Sequence, residues 1–188
     1  MKTTLLAALT LALASSAQSA IIFFDILGKA VSGLSAANEN PATTGGTGGE
    51  VGAGISFDDV SKLLTINIAW GSANGFTNLT GNATAGHLHG PTASGGSASF
   101  TENGGVLVGL DSLTGWNSSS TSGGITNGTL TLTAPQEAAL LAEKTYINIH
   151  TAANSGGEMR GNLVMVPEPS HAILSLLGLA ALGARRKR

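Results

Sequence analysis

Glu50-Val51-Gly52-Ala53-Gly54-Ile55-Ser56-Phe57, a turn at Asp58-Asp59, then Leu64-Thr65-Ile66-Asn67-Ile68-Ala69-Trp70 is the stretch that sets the fold class. Val51, Ala53, Ile55 and Phe57 alternate with small or polar residues, and so do Leu64, Ile66, Ile68 and Trp70. A period of two is the signature of a half-buried strand. Two such runs joined at paired aspartates read as an antiparallel hairpin. The aspartates are expected to be a solvated turn, with calcium binding as the alternative.

Working outward, further strands are expected over Ile22–Leu34, Asn82–Gly90, Val106–Leu110, Gly128–Leu132, Tyr146–Thr151 and Met159–Val166. Asn40-Pro41 to Gly49 reads as a loop, and Ser112–Gly124 as a turn-rich, mobile insert. One helix is expected after Thr133-Ala134-Pro135-Gln136, a capping box followed by Ala138, Leu140, Leu141 and Ala142. Seven to nine strands without βαβ alternation predict an all-β, antiparallel sandwich or barrel of immunoglobulin-like type.

The two ends read as targeting segments. Lys2, the apolar run Leu5–Ala14 and the small residues Ser15–Ala20 follow the order of a secretory signal peptide. Cleavage after Ala17 and cleavage near Ala20 both fit. At the other end Val166-Pro167-Glu168-Pro169-Ser170 precedes an apolar stretch, Ala172–Ala184, and the cluster Arg185, Arg186, Lys187, Arg188. Thirteen residues make a helix of about 20 Å against a hydrocarbon core of about 30 Å. The basic cluster would stop in the cytoplasm. The domains expected are therefore a signal peptide over 1–20, a β-domain over 21–166 and a tail over 167–188.

That tail resembles the PEP-CTERM sorting signal of Gram-negative bacteria. The resemblance implies recognition and cleavage by an exosortase, and delivery to the cell surface or the exopolysaccharide matrix. An ordinary single-pass tail anchor is the alternative.

The domain between keeps four basic residues (Lys29, Lys62, Lys144, Arg160) against ten acidic ones, a net charge of −6. Nucleic acid and anionic lipid both demand basic patches, so neither is an expected partner. The chain has no cysteine, so an exported domain must hold together by packing alone. The Asn-x-Ser/Thr triplets at Asn78, Asn82, Asn117 and Asn127 matter only where glycosylation machinery exists.

The chemistry centres on histidine. On a strand, His87 and His89 point to one face and Leu88 to the other. In Tyr146-Ile147-Asn148-Ile149-His150, the isoleucines take the apolar face and His150 the opposite one. If the two strands are neighbours, three imidazoles converge. Three neutral imidazoles with an open fourth position suit zinc or copper, with Glu158 as a candidate fourth ligand or supporting group. The alternative is that the histidines hydrogen-bond locally and stiffen the sheet. Glu158 and Arg160, two residues apart, could pair with each other or clamp a loop. No nucleophile motif or paired-acid spacing is present, so no enzyme activity and no obligatory cofactor is expected.

Leu34-Ser35-Ala36-Ala37-Asn38-Glu39-Asn40-Pro41, Gly86-His87-Leu88-His89-Gly90-Pro91, Tyr146-Ile147-Asn148-Ile149-His150-Thr151 and Gly157-Glu158-Met159-Arg160-Gly161 occur in that order. Together they resemble the CHRD domain, named for chordin, over residues 28–165. The resemblance implies an immunoglobulin-like β-fold and an extracellular setting, and it supplies no catalytic residue. The function expected is an exported surface or matrix domain with a structural or binding role, its partners exopolysaccharide or a surface protein. The alternative is a metal-binding or redox protein built on His87, His89 and His150.

Overall fold

The structure is a computed structural model that describes residues 20–119 and 121–167. The expected signal peptide and the tail from Glu168 onward, including Pro169 and the basic cluster, lie outside the described residues. Among the described residues no helix is long and apolar enough to cross a membrane.

Ten strands form one antiparallel sheet: β1 (Ile21–Leu27), β2 (Leu34–Ser35), β3 (Thr47–Asp58), β4 (Leu63–Trp70), β5 (Ala83–His89), β6 (Val106–Gly109), β7 (Trp116–Ser119), β8 (Ser122–Thr131), β9 (Tyr146–Thr151) and β10 (Met159–Met165). The order across the sheet is β6-β5-β9-β10-β1-β3-β4-β8-β7, with the short β2 bridging β10 and β3. Among the described residues one α-helix, α1 (Ala134–Leu141), follows β8. The fold is thus all-β and antiparallel, as expected, but it is one continuous curled sheet. Its far strands return into contact, with Trp116 of β7 lying against Gly86 of β5.

The β3–β4 hairpin forms in the register that the alternation demands, with Phe57 opposite Leu64 and Ile55 opposite Ile66. Asp58 accepts the Val60 and Ser61 N–H groups at 2.9 and 3.1 Å, which closes the turn. Ile55, Phe57, Leu64, Ile66, Ile68 and Trp70 are all buried and anchor the core. Val51 and Ala53 are not part of it. The β3–β4 ladder shifts between Glu50 and Ile55, where Gly52 and Gly54 take φ of +57° and +67°. That conformation is cheap only for glycine. Asn67 holds the distortion: its amide donates to Gly54 O at 3.0 Å and its carbonyl accepts from Asn127 N at 2.7 Å.

Part of Ser112–Gly124, expected to be turn-rich, is strand. It contributes β7 and the start of β8, paired from Trp116↔Ile125 to Ser119↔Ser122. Ile22–Leu34 divides into β1, a bend and β2. At α1 the expected capping box is present, with Gln136 Oε1 accepting the Thr133 N–H at 2.9 Å. The Lys62–Glu137 pair, 2.6 Å apart, ties the helix to the β3–β4 turn.

Candidate metal centre

β9 is buried along its whole length. Ile147 and Ile149 enter the apolar core, while Tyr146, Asn148 and His150 belong to the opposite face. Neighbouring strands place polar residues directly across from them. On β5, His87 pairs with Asn148 and His89 with Tyr146. On β10, Arg160 pairs with Asn148 and Asn162 with Tyr146. The outcome is a polar layer spanning three strands.

Loops roof this layer, so this polar face is largely interior. Arg160, fully buried, holds the roof: it donates to Glu102 O at 2.7 Å, Ser99 O at 3.2 Å, Asn103 Oδ1 at 3.1 Å and Asn162 Oδ1 at 3.2 Å. Its guanidinium lies 3.6 Å from the Tyr146 ring centroid. Arg160 therefore clamps a loop and does not pair with Glu158.

Within the layer the structure brings His87, His89 and His150 together, with one ring nitrogen from each within 4.8 Å of the others. His87 Nδ1 and His150 Nε2 are 2.8 Å apart. The remaining contacts differ from ring to ring. His150 Nδ1 lies 2.8 Å from Ser155 O, and His89 Nδ1 lies 2.9 Å from Gly104 O. A carbonyl only accepts, so His89 Nδ1 carries the proton and His89 Nε2 presents a lone pair; His150 has carbonyl oxygens at both nitrogens, Ser155 O at Nδ1 and Asn148 Oδ1 2.9 Å from Nε2. His89 Nε2 is buried and has no hydrogen-bond partner. Such an orphaned acceptor costs free energy unless something fills its need. Burial holds both His87 and His89 below the usual histidine pKa; the neighbouring imidazoles add to this. Their rings are therefore neutral near pH 7, the form that binds metal. The site's donor set fits a metal ion: three imidazoles, two of them anchored through their far nitrogens to carbonyls.

Glu158 is not part of this cluster. Its buried carboxylate accepts from Gly46 N at 3.0 Å, Thr80 N at 2.8 Å, Thr80 Oγ1 at 2.5 Å, Thr151 Oγ1 at 2.7 Å and Asn154 Nδ2 at 3.1 Å. Burial raises its pKa, but these hydrogen bonds outweigh burial and leave it below the usual value. With its oxygens taken by five donors, it staples three loops. Val166 donates to Phe23 O at 2.9 Å, so Pro167 follows directly on the sheet.

Sequence reasoning passed over Glu39 and Asp111. Glu39 is buried, with Oε1 unpartnered and Oε2 accepting from Asn40 N at 3.1 Å. Burial raises its pKa. It stands in the Ala36–Pro41 segment with no charge pattern to single it out. Asp111 is an exposed acid just past β6, within electrostatic reach of His87.

A family model described as the CHRD domain matches residues 31–163 of the chain. No curated protein and no solved structure matches.

Proposed function

The chain belongs to the CHRD family, and on that premise we propose that it is an exported surface or matrix domain that holds a zinc or copper ion between His87, His89 and His150. The observation that carries this reading is the buried, unpartnered Nε2 of His89 beside two further imidazoles. A cluster serving only to stiffen the sheet would have every buried nitrogen paired. Three nitrogen ligands leave a fourth position for water or an exogenous ligand. The half-buried His87 and His89 put that position near solvent.

The tail supplies the route. Pro167-Glu168-Pro169, the short apolar stretch and the basic end suit export, brief retention by exosortase, and release to the cell surface or exopolysaccharide matrix. Because Val166 is, among the described residues, the last one tied to the sheet, cleavage near Pro167 would leave almost no tether. Exopolysaccharide or another surface protein is then the nearest partner.

The test is elemental analysis of the exported, processed protein, with melting before and after chelation. The expected result is about one zinc or copper per chain and a lower melting temperature after its removal. No stoichiometric metal, with melting indifferent to chelator, overturns the metal reading. For the route, replacing Pro167, Glu168 and Pro169 by alanine should trap an unprocessed, membrane-held chain; normal release would contradict it.

A further inference from the structure

We propose that Asp111 is the positioning residue for His87: it accepts the Nε2–H of His87 when the centre is loaded and so selects the tautomer that can bind the ion. This rests on the metal reading above.

The three histidines are not equivalent. His89 and His150 each have the outer ring nitrogen fixed by a carbonyl, Gly104 O and Ser155 O. His87 turns Nδ1 toward His150, so its outer nitrogen is Nε2. Among the described residues, no protein group hydrogen-bonds to that nitrogen. His150 Nε2 is shared between His87 Nδ1 at 2.8 Å and Asn148 Oδ1 at 2.9 Å. A metal ion needs a lone pair on each of these two ring nitrogens. Loading therefore breaks the His87–His150 hydrogen bond. A His87 bound through Nδ1 carries its proton at Nε2, the second of its two tautomers.

An acceptor beside Nε2 favours that second tautomer, and the fold provides one. His87 pairs across the ladder with Gly109 of β6. Paired residues on adjacent strands put their side chains on the same face. Gly109 has none, and a Cβ built there would lie 3.3 Å from Asp111 Oδ1. The Asp111 carboxylate thus folds back over the glycine opposite His87, in the space a side chain at 109 would occupy. Leu110 N donates to Gly86 O at 2.7 Å and fixes the chain leading to Asp111. The carboxylate also acts electrostatically on His87, raising its pKa against the stronger effect of burial. Carboxylate-to-imidazole hydrogen bonds of this kind orient metal-binding histidines, and losing one lowers affinity about 10- to 100-fold.

The experiment titrates zinc into the metal-free, full domain of wild type, Asp111→Ala and Asp111→Asn, with melting as the control on folding. In parallel, NMR of the imidazole nitrogens follows the tautomer of His87. Asp111→Ala should bind zinc about 10- to 100-fold more weakly, while Asp111→Asn, which keeps an accepting oxygen, recovers part of the loss. The Nε2–H signal of His87 should be protected from exchange in zinc-loaded wild type and exchange freely in Asp111→Ala. Equal affinity in all three proteins, or an unprotected Nε2–H in wild type, overturns the role of Asp111. Zinc-bound Asp111 oxygen in the X-ray absorption spectrum also overturns it, by making the residue a ligand. If wild type itself fails to bind zinc or copper, it is the underlying metal reading that falls.

Discussion

The His89 and Tyr146 rings lie nearly parallel, 10° apart with centroids at 4.9 Å, and both side chains hydrogen-bond to the same carbonyl, Gly104 O. Tyr146 is in turn covered on its ring by Arg160. The imidazole is thus held by a stack and by a shared acceptor, and the clamp on the roofing loop is continuous with the centre. Tyr146 Oη also accepts from Gly104 N at 3.2 Å. Tyr146→Phe should keep the stack, lose these bonds, and cost about 1 kcal/mol in urea unfolding. Its zinc affinity should stay within a few-fold of wild type. Tyr146→Ala should cost about 3–5 kcal/mol and weaken metal binding as well.

Among the described residues Arg160 has no carboxylate salt bridge; its charge is satisfied by oxygens of the 99–103 loop and by Asn162. Lysine cannot reproduce that planar fork. Arg160→Lys should therefore destabilise by roughly 2–3 kcal/mol, two or three charge-assisted bonds being lost or misaligned. Faster hydrogen exchange in residues 99–104 would show that the roof has loosened. A neutral effect in both measurements would show that the clamp does not hold the loop.

Glu158 carries the acid sensitivity of the fold. Its folded pKa lies below the ordinary 4.5, so its contribution is complete above that value and is lost as pH falls through the folded pKa. Glu39 and Glu50 are shifted upward by burial; protonating them favours the folded state and opposes part of that loss. Glu158→Gln should lose about 2–4 kcal/mol at neutral pH, because an amide NH₂ then faces buried donors. Its stability should fall less steeply than wild type between about pH 5 and about pH 3.

Gly86 separates packing from ligation. It precedes His87, and a Cβ there would sit 2.7 Å from the Trp116 ring and 3.1 Å from Ile149 Cδ1. Gly86→Ala should cost about 1–3 kcal/mol by overpacking where β7 meets β5. Zinc affinity should change little, since the added methyl lies on the face opposite the imidazoles.

Much of this arrangement was legible in residue order. Period-two alternation placed Leu64, Ile66, Ile68 and Trp70 in the core, and His87, His89 and His150 away from the apolar faces of their strands. What stayed hidden depended on contacts distant in the chain. Gly123 and Gly124 read as turn residues, yet both lie in β8. A Cβ on Gly123 would meet the Trp70 ring at 2.6 Å, so the tryptophan fills the space that a strand side chain would take. Val51 and Ala53 kept the alternation on paper, but the bulge held by Asn67 takes them out of the core. Glu158 looked available as a ligand because nothing local reveals Thr80 and Gly46 as its partners. The burial of the polar face likewise follows from Arg160 reaching a loop some sixty residues earlier.

The central claim is that the three imidazoles hold one metal ion. The most direct measurement is X-ray absorption on the domain loaded with one equivalent of zinc, comparing wild type with His89→Ala. Wild type should show three imidazole nitrogens at about 2.0–2.1 Å, and His89→Ala should lose one of them or fail to retain zinc. A zinc site without imidazole scattering, or an identical spectrum and occupancy in His89→Ala, would contradict the account.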